Sequence, residues 1–243
     1  MSVIANVEHV CVEYDGVHVI EDIDMSINSG EFIALIGANG SGKSTLVRAL
    51  LGLTPLEHGK IRLFDTPLSR FRAWDRIALV PQRLPGASSV PVSVWETVMS
   101  GLISPKHRWR RFTKEEKERA QLALKDVRLW DRRHDRLDAL SGGQQRRALI
   151  ARALVTEASL IILDEPTAGV DAENVAELAR VLEAMHERGA TVLIVTHELD
   201  EIEHLVTRVI VLERGEVVYD GPPPPPVGLH DHVHHHDDDG WSS

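Results

Sequence analysis

The stretch that most limits the fold is residues 37–45, GANGSGKST, directly after the apolar run EFIALI. Gly37, Gly42, Lys43 and Ser44 satisfy the spacing G-x-x-x-x-G-K-[ST]. Glycines at these places let the backbone curl until successive N–H groups point inward, which makes a nest for an anion. Helical spacing begins after Lys43, in TLVRALLGL, and Gly52 and Pro55 mark its end. The unit is therefore strand, loop, helix, and the positive end of the helix dipole adds to the nest. The whole loop, Gly37, Ala38, Asn39, Gly40, Ser41, Gly42, Lys43, Ser44 and Thr45, reads as a nucleotide-phosphate cradle. In it Lys43 neutralises the β and γ phosphates and Ser44 offers a hydroxyl to magnesium. A glycine-rich turn that binds nothing is the bland alternative, and it leaves the order of strand, loop and helix unexplained.

Upstream, VCVEY, VHVIEDIDMSI and EFIALI are separated by Asp15-Gly16 and Ser29-Gly30, the pattern of strands and hairpins. RIALVPQ is a short strand ending at Pro81-Gln82. From about Val90 to Leu140 the chain reads as a helical insertion. Thr113 and Glu116 have capping-box spacing there, and Ala120, Leu124 and Val127 recur at helical intervals behind them. From Ser141 to Val211 helix and strand alternate: QQRRALIARALV, SLIILDEP, NVAELARVLEAMHE, ATVLIVTH, LDEIEHLV, RVIVLE. That alternation predicts an α/β fold whose mainly parallel sheet is covered on both faces. One folded unit is expected over 1–221, with a helical subdomain at about 90–155 and an N-terminal antiparallel β subdomain. Residues 222–243 then form a proline-rich linker and a disordered tail.

The chain carries 27 Lys and Arg against 37 Asp and Glu, which argues against a general grip on a nucleic-acid backbone. Cys11 stands alone, so neither an internal disulfide nor a cysteine zinc cluster can form. No apolar run reaches the ~18 residues of a membrane span, and MSVIANVEHV lacks a signal pattern. A soluble protein able to dock on a membrane protein is expected.

The loop does not choose between a kinase, a GTPase and an ATP-driven motor. Asp164 ends an apolar strand, where a carboxylate suits magnesium beside the phosphates, and the adjacent Glu165 can polarise a water for in-line attack. LSGGQ adds a second helix start: Ser141 and Gln144 have capping-box spacing around Gly142 and Gly143. That end is either one more anion-binding site or an ordinary capped helix.

GANGSGKST, VPQ, LSGGQ, LIILDEPTAGVD and IVTHE together resemble the motifs of ATP-binding cassette (ABC) ATPases in order and spacing, over nearly all of Val3 to Gly221. The resemblance implies the P-loop NTPase fold in its ABC form, with ATP and Mg2+ as cofactors. It also implies a homodimer in which each ATP lies between one cassette's phosphate loop and the other's Ser141, Gly142, Gly143 and Gln144. Tyr14 then stacks on adenine, and Gln82 reaches magnesium and the attacking water. His197 contacts the γ phosphate, and Glu165 promotes hydrolysis. Asp171 touches the opposite subunit or caps the following helix. Separate permease subunits and an extracytoplasmic metal-binding protein are the implied partners, with the cassette peripheral on the cytoplasmic side of the membrane and no nucleic acid.

For the cargo, VPQR and VPVSVWETV look like cassettes of zinc and manganese uptake systems, so a zinc importer leads, ahead of manganese, iron or siderophore cargoes. A soluble cassette acting on ribosomes or DNA would be expected to show a second cassette or basic extensions. A small-molecule kinase leaves LSGGQ and the histidine unexplained. KHRWRR is a locally basic loop, solvated or facing lipid head groups or an acidic permease loop. The tail, with His230, His232, His234, His235 and His236 among aspartates, offers zinc ligands or is a solubilising remnant. Calorimetry of a peptide spanning 222–243 should register zinc binding; absence of heat would leave the zinc reading without the tail's support.

Overall fold

The structure, a computed structural model, describes residues 2–82, 91–103, 111–167, 172–197 and 199–224. β1 (Val3–Tyr14) and β2 (Val17–Asn28) form a hairpin closed by Asp15 and Gly16, both in the left-handed region at φ 51° and 81°. That pairing of conformations matches the right-handed twist of a tight hairpin. With β4 (His58–Leu63) and β5 (Thr66–Pro67) they make an antiparallel sheet in the order β2-β1-β4-β5. This is the expected N-terminal β subdomain.

The second sheet contains β3 (Phe32–Ile36), β6 (Ile77–Val80), β7 (Leu160–Asp164), β8 (Thr191–Val195), β9 (Arg208–Glu213) and β10 (Glu216–Gly221). Its order is β10-β9-β3-β8-β7-β6, parallel throughout except for the β10–β9 pair. The helices are α1 (Lys43–Leu50), α2 (Val94–Met99), α3 (Lys114–Asp126), α4 (Gly142–Leu154) and α5 (Ala172–Glu187). Among the described residues no helix is long and apolar enough to cross a membrane.

Why the central strands are apolar throughout follows from their burial on both faces. Side chains alternate sides along a strand. Phe32, Ala34, Ile161, Leu163, Val192 and Ile194 pack with the helices. Their neighbours Ile33, Leu35, Leu160, Ile162, Leu193 and Val195 pack against α1 and the antiparallel sheet. Two cores thus share one sheet. Arg208 stitches their border, donating from Nη1 to the Ser26 carbonyl at 3.0 Å and from Nε and Nη2 to Asp220 at 2.5 and 2.7 Å.

The Thr113–Glu116 capping box is present in both halves, at 3.2 and 2.8 Å. Ser93 and Glu96 form another at the start of α2, which the sequence reading passed over although its S-x-x-E signature is intact. LDEIEHLV, expected as a helix, is corrected to a 3-10 segment over Asp200–Leu205. Leu199, at its start, cannot cap with its side chain, and β9 begins at Arg208, so there is no length over which a costly α-nucleus can propagate. Most of the tail proposed for 222–243 lies outside the described residues.

Leu35 is fully buried in a central strand, whereas Leu122 on α3 is 53% exposed. Leu35→Ala should therefore destabilise by about 2–5 kcal/mol, against about 0.5 kcal/mol or less for Leu122→Ala, as read from denaturation midpoints.

Candidate functional site

β3, β8, β7 and β6 are parallel neighbours, so their carboxyl ends open on one edge of the sheet, where open α/β sheets place ligands. The phosphate-loop sequence follows β3. His197 stands two residues beyond β8, Asp164 ends β7 with Glu165 next, and Gln82 stands two residues beyond β6. Register keeps these ends level. Leu35 lies opposite Val195 and Val195 opposite Asp164. Beyond the strands, Thr196 N–H donates to the Leu35 carbonyl at 3.2 Å and Glu165 N–H to the Val195 carbonyl at 2.8 Å.

Two glycines of the loop are required by close approach. A Cβ at Gly37 would lie 2.1 Å from the Leu212 carbonyl oxygen, and one at Gly42 2.8 Å from both Ile20 Cδ1 and the Val19 carbonyl. Gly42 also takes φ 105° as it leads into α1, a conformation that a side chain disfavours. Lys43 is buried, and its Nζ donates to the carbonyls of Gly37 at 2.7 Å and Ala38 at 2.9 Å. Burial pushes the ammonium pKa down, while Glu165 and Asp164 pull it back up. Ser41 Oγ is buried without a hydrogen-bond partner among the described residues. A curled loop with a buried cation and an orphan hydroxyl fits a polyphosphate.

Across the edge, burial and then the neighbouring Glu165 raise the pKa of Asp164, with Arg48 and Lys43 opposing. Such crowding is what a divalent cation relieves, and the Ser44 hydroxyl and Asp164 carboxylate are hard oxygen donors of the kind magnesium takes. Glu165 holds φ 46°, an uncommon setting for a residue with a side chain and one that functional sites retain. Its Oε2 accepts from Gln82 Nε2 at 2.5 Å. The structure therefore brings Gln82 and Glu165 into direct contact, although their sequence separation gives no hint of it.

Ser141 and Gln144 do form the capping box at the start of α4, with N–H to Oγ at 3.4 Å and the reciprocal bond at 3.1 Å. Ser141 and Gly142 are exposed, Gly143 and Gln144 half-buried, and nothing within 4 Å crowds Gly142. Tyr14 lies at the end of β1, 42% exposed, its hydroxyl paired with Thr54 at 2.9 Å. Asp171 and the tail histidines fall outside the described residues.

Two residues escaped sequence reasoning. Arg132 donates to Gln144 Oε1 at 2.7 Å, and Arg146 donates to the carbonyls of Pro166 at 2.6 Å and Gln82 at 3.2 Å. For Arg146 the available signal was the Arg146-Arg147 pair near the start of a largely apolar helix after LSGGQ, whereas nothing in the sequence pointed to Arg132. Elsewhere among the described residues, His9 with Asp22 and Asp24, and His18 with Glu13 and Glu57, are exposed groupings with metal-ligand atoms in reach of one another. Both histidines sit beside a carboxylate, at 2.9 Å for His9–Asp22 and 3.4 Å for His18–Glu57, in contacts of the kind common on protein surfaces.

The ABC transporter family matches residues 20–168. The zinc uptake system ATP-binding protein ZurA of Listeria innocua is 39% identical over 91% of this chain and 86% of its own length. The manganese transport system ATP-binding protein MntB of Listeria monocytogenes is 34% identical over 82% of each chain. Among solved structures, the dimeric bacterial ABC transporter cassette MJ0796 superposes with a TM-score of 0.78 at 27% identity, covering 90% of this chain and 98% of that one. With the family match running from β2 through α4 to just past β7, and the curated relatives covering 82–91% of the chain, this protein belongs to the ABC transporter family as an ATP-hydrolysing cassette.

Proposed function

We propose that the chain is the ATPase subunit of a divalent-metal importer, with zinc as its first cargo. One observation carries the hydrolytic part: Glu165 and Gln82 meet at the sheet edge that also presents buried Lys43 and Asp164. The similarity to ZurA supports zinc, and the similarity to MntB makes manganese the second reading.

In this reading the inward N–H groups of 37–45 and the Lys43 ammonium hold the β and γ phosphates, and Tyr14 stacks on the adenine. Ser44, Asp164 and Gln82 would hold Mg2+, which would supply positive charge against that developing on the phosphates. Glu165 orients and polarises the attacking water, and His197 contacts the γ phosphate. With Oε2 accepting from Gln82, the second oxygen of the Glu165 carboxylate is the one that takes the water's proton. The exposed start of α4, with Ser141, Gly142, Gly143 and Gln144, meets the triphosphate of a second copy, and Asp171 touches that copy. Two anion-binding helix ends then grip one nucleotide from opposite sides.

The ATPase unit spans 1–221, with the helical layer at about 90–155 receiving a separate permease at the cytoplasmic face of the membrane. An extracytoplasmic binding protein delivers the metal, and the tail beyond 222 adds weak zinc ligands. Hydrolysis removes the phosphate that bridges the two copies, so closing and opening does work on the permease.

Glu165→Gln should bind ATP as the wild type does, lose about 10²–10⁴-fold in turnover and accumulate as a dimer on size exclusion. Normal turnover would remove Glu165 from the role of base. In metal-limited cells carrying Lys43→Ala, elemental analysis should show a selective fall in zinc. A fall in manganese alone would favour the second cargo, and unchanged metals would count against metal import.

A further inference from the structure

We infer that Arg146 is a positioning residue whose guanidinium fork ties the Gln82 and Glu165 segments to the first turns of α4, so that the setting of Glu165 follows the position of the LSGGQ helix start. The inference rests on the hydrolytic role proposed for Glu165.

Two acceptors of the fork among the described residues are main-chain atoms. Nη1 donates to the Pro166 carbonyl at 2.6 Å and Nη2 to the Gln82 carbonyl at 3.2 Å. A bond to a carbonyl fixes where the backbone stands. Gln82 then reaches from that fixed backbone to Glu165 Oε2 at 2.5 Å, and Glu165 is bonded covalently to Pro166. The result is a closed ring: guanidinium, Gln82 carbonyl, Gln82 amide, Glu165 carboxylate, Pro166 carbonyl, guanidinium. In such a ring the distance between two loops that arrive from β6 and β7 is set by a third element, the helix.

The planar fork suits this task. Two N–H vectors diverge in one plane at a fixed angle, so two carbonyls are held at a fixed separation, whereas a lysine ammonium reaches them as a single flexible point. Arg146 is half-buried, and burial lowers its pKa while the Glu165 charge raises it, which places the cation in the field of that carboxylate. A half-buried guanidinium is costly unless its donors are used. The carbonyls and the carboxylate field provide that compensation.

The helix end of the tie is equally well defined. Arg146 lies five residues beyond Ser141, about 7.5 Å along the axis. The first turn is closed by the Ser141–Gln144 capping box, and Arg132 holds Gln144 Oε1 at 2.7 Å. Further along, Arg152 Nη2 donates to the Leu79 carbonyl at 3.2 Å, so α4 holds the β6 strand and the residue pair beyond it at two separate points. When the nucleotide of a second copy bears on Ser141, a shift of α4 reaches Glu165 through the fork and alters how its carboxylate faces water. Engagement at one nucleotide site is thereby coupled to hydrolysis at the other within the same chain.

The test compares the full-length wild type with Arg146→Gln and Arg146→Lys, measuring ATP hydrolysis per folded molecule and Mg-ATP affinity by calorimetry. Arg146→Gln should lower kcat at least about tenfold, because misplacement of a catalytic group by about 1 Å costs on the order of 10²-fold. Affinity should stay within about threefold, since Lys43 and its loop are untouched. Arg146→Lys, which keeps the charge and one donor, should recover part of the loss. Hydrogen exchange on the nucleotide-free chain gives a readout that needs no turnover. The amide of Glu165, which donates to the Val195 carbonyl, should exchange at least about tenfold faster in Arg146→Gln while Ile150 in mid-α4 keeps its protection. The inference is overturned if kcat in Arg146→Gln stays within about threefold of wild type, or if kcat and affinity fall together, or if exchange at Glu165 is unchanged. A wild-type chain that binds ATP without hydrolysing it would count against the proposed function, and the exchange data would then decide the tie alone.

Discussion

A buried ammonium must be surrounded by oxygen, and the way Lys43 meets that demand organises the rest of the molecule. Its Nζ donates to the carbonyls of Gly37 and Ala38, which turns the loop back on itself. The turn is possible because Gly37 and Gly42 press against the backbone of Leu212 and Val19, where no side chain fits. β2 and β9 therefore form the floor under the loop, and the two sheets have to be assembled before the cradle exists. Arg208, bridging Ser26, Asp220 and Glu31, secures that same border.

Around this loop the parallel sheet performs one service: it delivers chain segments distant in sequence to one edge. Asp164, Glu165, Gln82 and His197 each stand at or just past the end of a strand, and the ladder through Val195 holds the ends of β3, β8 and β7 level. Burial at that edge explains the opposed shifts of Lys43 and Asp164, the ammonium lowered and the carboxyl raised, with each partly corrected by the other. Such a site is poised for a ligand that brings both negative phosphates and a divalent cation. The helical layer closes the argument from the other side, since α4 presents its capped start outward and sends Arg146 inward.

Legibility followed how local each interaction is. Capping boxes at Thr113 and Ser141, the hairpin at Asp15-Gly16 and the loop glycines depend on residues within a few positions of one another, so spacing alone exposes them. The LDEIEHLV segment failed the same test because its helical pattern says nothing about the strand that follows so closely. The roles of Tyr14 and Asp171 came from resemblance to a family, and for Tyr14 the structure adds the hydrogen bond to Thr54. The Gln82–Glu165 bond and the Arg146 fork were out of reach, because nothing in a linear pattern states which carbonyl a guanidinium will find.

The sequence by itself therefore determined the glycine-rich loop between strand and helix, the alternation of apolar strands with helices, the double burial of the central sheet and the membership of the ABC family. All of these rest on short-range spacing or on the average polarity of a segment, quantities that survive without coordinates. Only the tertiary structure decided which strand ends meet, how Lys43 and Asp164 influence each other, and that α4 holds the Gln82 and Pro166 carbonyls through Arg146. Those outcomes depend on strand order and on the direction in which buried side chains point, and both are fixed when the two cores close on the shared sheet.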